Sequence, residues 1–200
     1  MYYALRALLS LLSLLPLWLL YGVSGLLAPV VGGLVGYRRA VVRRNLSAAF
    51  PDKTPAQRRR IERQFYRFFC DYLVESLKFA TISRRNISRR MRFVNPEVVN
   101  NLVDNDRSVA LLLGHYGNWE WVTSLRLHVP RPTGGYGHIY HPLENRLWNS
   151  LFLSVRNRMG SESIAMTDTL RFIAKYERQG LPTVIGYISD QVPLWRNIHH

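Results

Sequence analysis

Between Gly114 and Trp121 the chain reads Gly-His-Tyr-Gly-Asn-Trp-Glu-Trp, which sets an imidazole at 115 and a carboxylate at 120 just after an apolar run. A histidine steadied by an acid can draw a proton from a poor nucleophile such as a hydroxyl. An intact α-helix would hold positions i and i+5 roughly 140° apart. The pair therefore converges only if His115 lies on a strand-to-helix turn and Glu120 in the first helical turn. Gly114 and Gly117 suit such a turn, Asn118 suits the N-cap, and the helix dipole favours an ionised Glu120. The same spacing also describes a loop histidine and an ordinary first-turn acid, and spacing alone does not choose.

The elements that must position these groups follow from the hydrophobic pattern. Ser108 to Leu113 reads as a buried strand, Gly134-Gly135 opens a second reaching Tyr140, and Thr183 to Ile188 is a third. Helices are expected from Asn118 to about Leu127, from Glu144 to about Met159, and from Thr167 or Asp168 to Gln179, with Gly180 as a stop. An earlier helix should start at Thr54-Pro55-Ala56-Gln57 and run to about Phe79. Its residues Ile61, Phe65, Phe68, Phe69, Tyr72 and Leu73 are expected to pack as core, with a lipid-facing or acyl-chain surface as the lesser alternative. Alternating strands and helices predict an α/β fold, a mainly parallel sheet flanked by helices. Functional groups in such sheets gather beyond the carboxyl ends of the strands, where His115, Tyr140 and Asp190 all fall.

Between Arg6 and Arg38 there is no charged residue, and Leu8 to Leu20 is nearly all leucine. Residues 1–36 therefore read as an N-terminal membrane anchor and 37–200 as the working domain. A helix from about Ala4 to Leu27 is long enough to cross or enter a bilayer core of roughly 30 Å. Pro16, Pro29 and Gly32-Gly33 are placed to kink it or to divide it into a membrane helix and an interfacial piece. Arg38, Arg39, Arg43 and Arg44 follow the segment, and the positive-inside bias then keeps the rest in the cytoplasm. A cleaved secretion signal is the competing reading; the length of the apolar stretch and those arginines weigh against it.

Lys and Arg number 27 against 13 acids, a net charge of +14 that draws anionic partners. Zinc-ligand spacing, a basic zipper and an RNA-binding aromatic signature are all lacking, which turns the reading from nucleic acid toward anionic lipid. Cys70 is the only cysteine, so no intramolecular disulfide can form. The chain stops at Ile198-His199-His200 without a closing element, so the expectation is the front part of a longer protein; the histidine pair is assigned no role.

With these positions in hand, the chain resembles the bacterial lipid A late acyltransferases, the lauroyl and myristoyl transferases of lipopolysaccharide assembly. The likeness runs in order from Tyr37 to Pro193. It begins with Tyr37-Arg38-Arg39, Val42, Arg44-Asn45-Leu46 and Ala49-Phe50-Pro51. His115 to Glu120 is similar to the family's HX4E block. Tyr140, Pro142, Asn145, Arg156, Arg158, Gly160 and Asp190-Gln191 complete the series. His141 stands where many relatives carry Arg or Lys.

The resemblance implies a glycerolipid-acyltransferase-like fold and transfer of a fatty acyl group from an acyl carrier protein thioester to a hydroxyl of a lipid A precursor or related anionic glycolipid. It places the chain at the bacterial inner membrane, with the catalytic domain on the cytoplasmic face, and it implies neither cofactor nor metal. His115 would be the general base and Glu120 its orienting carboxylate. Arg156 would anchor the donor or stabilise the oxyanion, and Asp190 would orient Arg156 or another cleft group. Asn118, Tyr140 and Arg158 would contact substrate. Two rivals stand beside this reading. One is a metal-dependent hydrolase using His115, Glu120, His138 and His141; the other is a non-catalytic basic membrane adaptor.

Overall fold

Pro16 divides the leucine-rich segment, because proline inside a helix removes a backbone donor and clashes with the preceding turn. In the computed structural model, which describes residues 2–129 and 134–191, the segment forms helices α1 (Tyr2–Leu14) and α2 (Leu17–Pro29). The helix continues as a π-helical turn, Val30–Val35, and ends at Gly36, whose φ of 64° favours glycine. Helices α3 (Arg39–Ala49) and α4 (Pro55–Lys78) follow. The start of α4 is set by a capping box: Thr54 Oγ1 accepts from the Gln57 N–H, and the Gln57 side chain accepts from the Thr54 N–H.

The apolar stripe expected along α4 is displaced. Glu62, Tyr66, Cys70 and Val74 form the buried line, whereas Phe65, Phe68 and Leu73 are exposed to 37%, 45% and 47%. Polar partners explain the difference. Arg43 Nε lies 3.0 Å from Glu62 Oε2, and the Tyr66 hydroxyl donates to the Tyr37 carbonyl at 2.8 Å. A buried carboxylate with its cation is tolerated where a lone one is not. Residues Ala7–Thr81 form one compact unit; among the described residues, those up to Arg6 and those from Ile82 onward group as the other. The expectations placed on Pro193 and Ile198–His200 lie outside the described residues.

The second unit opens with α5 (Arg84–Arg90), capped by Ser83, and α6 (Glu97–Asp104). Then come β1 (Val109–Leu113), a 3₁₀ helix (Trp119–His128), β2 (Gly135–Tyr140) and α7 (Arg146–Arg156). A 3₁₀ turn, Asn157–Met159, leads to β3 (Glu162–Ala165); α8 (Thr169–Glu177) and β4 (Thr183–Ile188) complete it. The sheet order is β1-β4-β2-β3, with every pairing parallel, so the expected α/β class with a parallel sheet flanked by helices holds. Strand β3 and helices α3 and α5 were not anticipated. Four residues of β3, Glu-Ser-Ile-Ala, are too short and too polar to carry a strand period.

Strand β4 is central. Its Val184 and Ile185 point to opposite faces and are 0% and 2% exposed, so both faces are covered there. On one face Val184 and Tyr136 meet Val103 of α6 and Leu125 and Val129 from the 3₁₀ region, with Phe93, Val99, Val109 and Leu111 around them. Burying each such side chain contributes roughly 1.5–3 kcal/mol. On the other face α8 lays Phe172 against Gly135, where an added Cβ would fall 2.5 Å from the ring. The Gly134-Gly135 pair thus opens the strand by letting α8 approach. Gly180, φ 65°, takes the left-handed conformation just past α8, as expected of a helix stop.

Candidate active site

Parallel strands β1 and β4 pair in register, Leu113 opposite Ile188, and the Ser189 N–H donates to the Leu113 carbonyl at 3.0 Å. Two residues beyond that last rung stand His115 and Asp190, which therefore face each other across the carboxyl ends of the strands. Asp190 grips His115 twice: Oδ2 accepts the backbone N–H of His115 at 2.7 Å, and Oδ1 lies 2.7 Å from ring Nδ1. Gly114 makes room for this approach, since a Cβ there would lie 3.2 Å from Asp190 Oδ2. The side-chain and then the backbone hydrogen bond from His115 hold the Asp190 carboxyl below its ordinary range. An ionised carboxylate only accepts, so Nδ1 carries a proton, and in the neutral ring the lone pair is on Nε2. The edge of Trp119 closes one side of the imidazole, ring centroids 4.9 Å apart.

Glu120 sits in the first turn of the 3₁₀ helix, as its spacing required, and is 7% exposed. Its carboxylate takes Arg156 in a two-point grip, from Nε at 2.6 Å and Nη2 at 2.5 Å. Arg156 comes from the last turn of α7 and also lies over the Phe152 ring, 5.5 Å from its centroid. The pairing thus differs from the expected one. Asp190 steadies the imidazole and Glu120 fixes the guanidinium, whereas the expectation gave Glu120 to His115 and Asp190 to Arg156 or another cleft group. The physical reason is register: strand pairing decides which group lies opposite residue 115, and local spacing carries no information about it.

His138, two residues before Tyr140 on β2, was weighed only as a metal ligand. Its Nε2 lies 2.8 Å from Ser163 Oγ, which donates to Asn157 Oδ1 at 2.8 Å, and Ser161 Oγ lies 3.4 Å from Nδ1. Because the Ser163 hydroxyl gives its proton to Asn157, it accepts from Nε2, which is therefore a protonated nitrogen of His138. Burial, and after it the nearby Arg156 cation, pushes this imidazole down to about 4, while Glu120 acts the other way. The signal available in sequence was a polar residue inside an apolar strand.

Of the remaining expected residues, Asn118 occupies the N-cap position of the 3₁₀ helix but makes no side-chain capping bond. Tyr140 ends β2, partly buried, with Ala165 of β3 opposite. Arg158 Nη1 donates to the Ile82 carbonyl at 3.2 Å. Burial and the neighbouring Arg84 lower the Arg158 pKa, although a guanidinium remains charged. His141 Nδ1 lies 3.0 Å from the Pro142 carbonyl. Among the described residues, no three His, Cys, Asp or Glu side chains converge as metal ligands.

A carboxylate-steadied imidazole beyond the carboxyl edge of a parallel sheet, with a second carboxylate fixing an arginine, suits proton removal from a hydroxyl beside developing negative charge. Comparison with curated proteins finds no match. The sequence model of the family described as bacterial lipid A biosynthesis acyltransferase matches residues 1–197, nearly the whole chain. The chain therefore belongs to the bacterial lipid A biosynthesis acyltransferase family.

Proposed function

We propose that this acyltransferase works at a membrane surface, moving a fatty acyl group from an acyl carrier protein thioester to a hydroxyl of a lipid A precursor. His115 Nε2 takes the proton of the acceptor hydroxyl as its oxygen attacks the thioester carbonyl. Asp190 keeps the other ring nitrogen protonated and stabilises the imidazolium that forms. The tetrahedral adduct collapses with loss of the carrier thiolate, and the imidazolium returns the proton to that sulfur. Arg156, held in place by Glu120, counters the charge on the adduct oxygen. Asn118, Tyr140 and Arg158 line the approach of the substrates. The net charge of +14 favours both an acidic carrier protein and an anionic acceptor. The reading puts the catalytic unit on the cytoplasmic face of the bacterial inner membrane.

The single observation that carries this reading is the 2.7 Å contact between Nδ1 of His115 and Asp190. It leaves a basic nitrogen at the edge of the sheet in a chain of this family. The test is transfer of a labelled acyl group from acyl carrier protein to a purified lipid A precursor by the full chain and by His115→Ala. The substitution is expected to remove most turnover, by about 10² to 10⁴ in rate. Turnover at the parent rate in a folded His115→Ala protein ends the proposal.

A further inference from the structure

We infer that the apolar segment Leu17–Val35 lies along the membrane surface, with α4 behind it, instead of crossing the bilayer. The inference rests on the membrane-bound reading above and specifies the geometry of attachment. By length and composition the segment suits a crossing: 19 residues at about 1.5 Å each approach the thickness of a bilayer core. What excludes a crossing is the helix fixed to its flank.

Helices α2 and α4 run antiparallel, and their contacts continue from end to end. At the Pro16 break, Lys78 Nζ donates to the carbonyls of Ser13 at 2.8 Å and Leu15 at 2.9 Å. Further along, the Tyr21 hydroxyl donates to Glu75 Oε1 at 2.6 Å, and Ser24 Oγ bonds to Asp71. The Arg67 guanidinium lies 2.9 Å from where a Gly25 Cβ would be, and the Tyr66 ring fills the space beside Gly32. Beyond the segment, Arg39 and Arg43 reach Glu62. Any depth that places Leu17–Val35 across the hydrocarbon therefore takes Arg63, Arg67, Asp71 and Glu75 into it as well. Helix α4 carries six cations and three anions, and charges inside a bilayer are costly.

The two faces of α2 agree with a surface position. Its buried line is Leu17, Leu20, Ser24 and Ala28, continued by Gly32, and the small residues at every fourth position let α4 come close. Its large apolar residues point the other way: Trp18 is 73% exposed, Leu26 75% and Leu34 84%. That outward face is matched to an anionic lipid surface. Ala7 to Thr81 holds eleven Lys or Arg against four Asp or Glu, clustered at Arg38-Arg39, Arg43-Arg44 and Arg58 to Arg60. Apolar side chains enter the acyl boundary while the arginines meet phosphate headgroups.

A crossing segment puts its middle at the bilayer centre and its two ends at opposite surfaces; a surface segment holds all its outward positions at one shallow depth. The test uses the full chain with Cys70→Ala and one added cysteine, Trp18→Cys, Leu26→Cys or Leu34→Cys, carrying a nitroxide, in vesicles containing anionic phospholipid, and reads depth from collision with oxygen and with a water-soluble nickel chelate. A second set, Val23→Cys and Leu27→Cys, gives the same reading at other outward positions of the segment should one of the first variants fail to fold. All labels are expected at a similar shallow depth, with the chain bound to the vesicles. Position 26 at the bilayer centre with positions 18 and 34 near the surfaces overturns the inference and leaves membrane attachment standing. Recovery of the chain in the soluble fraction overturns attachment itself, and the inference with it.

Discussion

Ring nitrogen Nδ1 of His115 lies 2.7 Å from Oδ1 of Asp190 although 75 positions separate the two residues. The contact exists because β1 and β4 are neighbours in register, so groups two residues past the shared last rung meet. Asp190 also takes the His115 backbone N–H, which fixes the position of the imidazole as well as its tautomer.

Asp190→Asn should keep the shape and lose the function. An amide can offer its nitrogen to Nδ1 and so stabilise the wrong tautomer, and it cannot balance an imidazolium. Acyl transfer is expected to fall by about 10² to 10⁴ with substrate binding little changed. A variant with parental kcat would remove Asp190 from the site.

Glu120→Gln strands the Arg156 guanidinium, so stability should drop with activity. Removing one partner of a buried ion pair costs about 3–5 kcal/mol, and the 23% exposure of the Arg156 side chain lowers this toward about 2. The double variant Glu120→Gln/Arg156→Met should regain much of the stability and none of the turnover. Denaturant melts set beside rate assays separate the two effects; full activity in Glu120→Gln contradicts the assignment.

His138 predicts a pH dependence of stability. Its folded pKa of about 4 lies below the ordinary value of about 6.5, so between these limits the unfolded chain binds the proton and the folded chain does not. Stability should therefore decline as pH falls from about 6.5 to 4, by about 1–3 kcal/mol given that the ring is only partly enclosed. His138→Gln should flatten that decline. Equal slopes in the two proteins would disprove the assignment.

Gly32 and Gly33 should respond very unequally to the same substitution. A Cβ at Gly32 would fall 2.4 Å from the buried Tyr66 ring, whereas one at Gly33 meets nothing within 4 Å. Gly32→Ala is expected to destabilise the α2–α4 pair by about 1–3 kcal/mol, and Gly33→Ala by no more than about 0.5. Thermal melts of detergent-solubilised full chain decide it; matching midpoints for the two variants would rule out the close packing.

Much of the architecture was legible in the residues because local rules act locally. The capping box at Thr54 and Gln57, the stop at Gly180 and the span Thr183–Ile188 stand where propensity and pattern put them, while the single helix expected from Ala4 to Leu27 is divided at Pro16, one of the two outcomes the proline left open. Strand β3 was not legible, because four residues joined to a neighbour mainly by backbone bonds carry no side-chain period. The stripe on α4 was misplaced because Glu62 is buried by arginines on another helix, which hydrophobic periodicity does not count.

The site divides in the same way. Residue types and their positions marked His115, Glu120 and Asp190 as groups able to do acid–base chemistry, and the family resemblance added Arg156 as the charge-stabilising group. Which acid serves which base was decided by the fold: strand register brings Asp190 to His115, and the last turn of α7 brings Arg156 to Glu120. Local sequence sets what a side chain can do, but contacts between distant segments depend on how strands align and helices dock, and that information lies in the packing of the whole sheet.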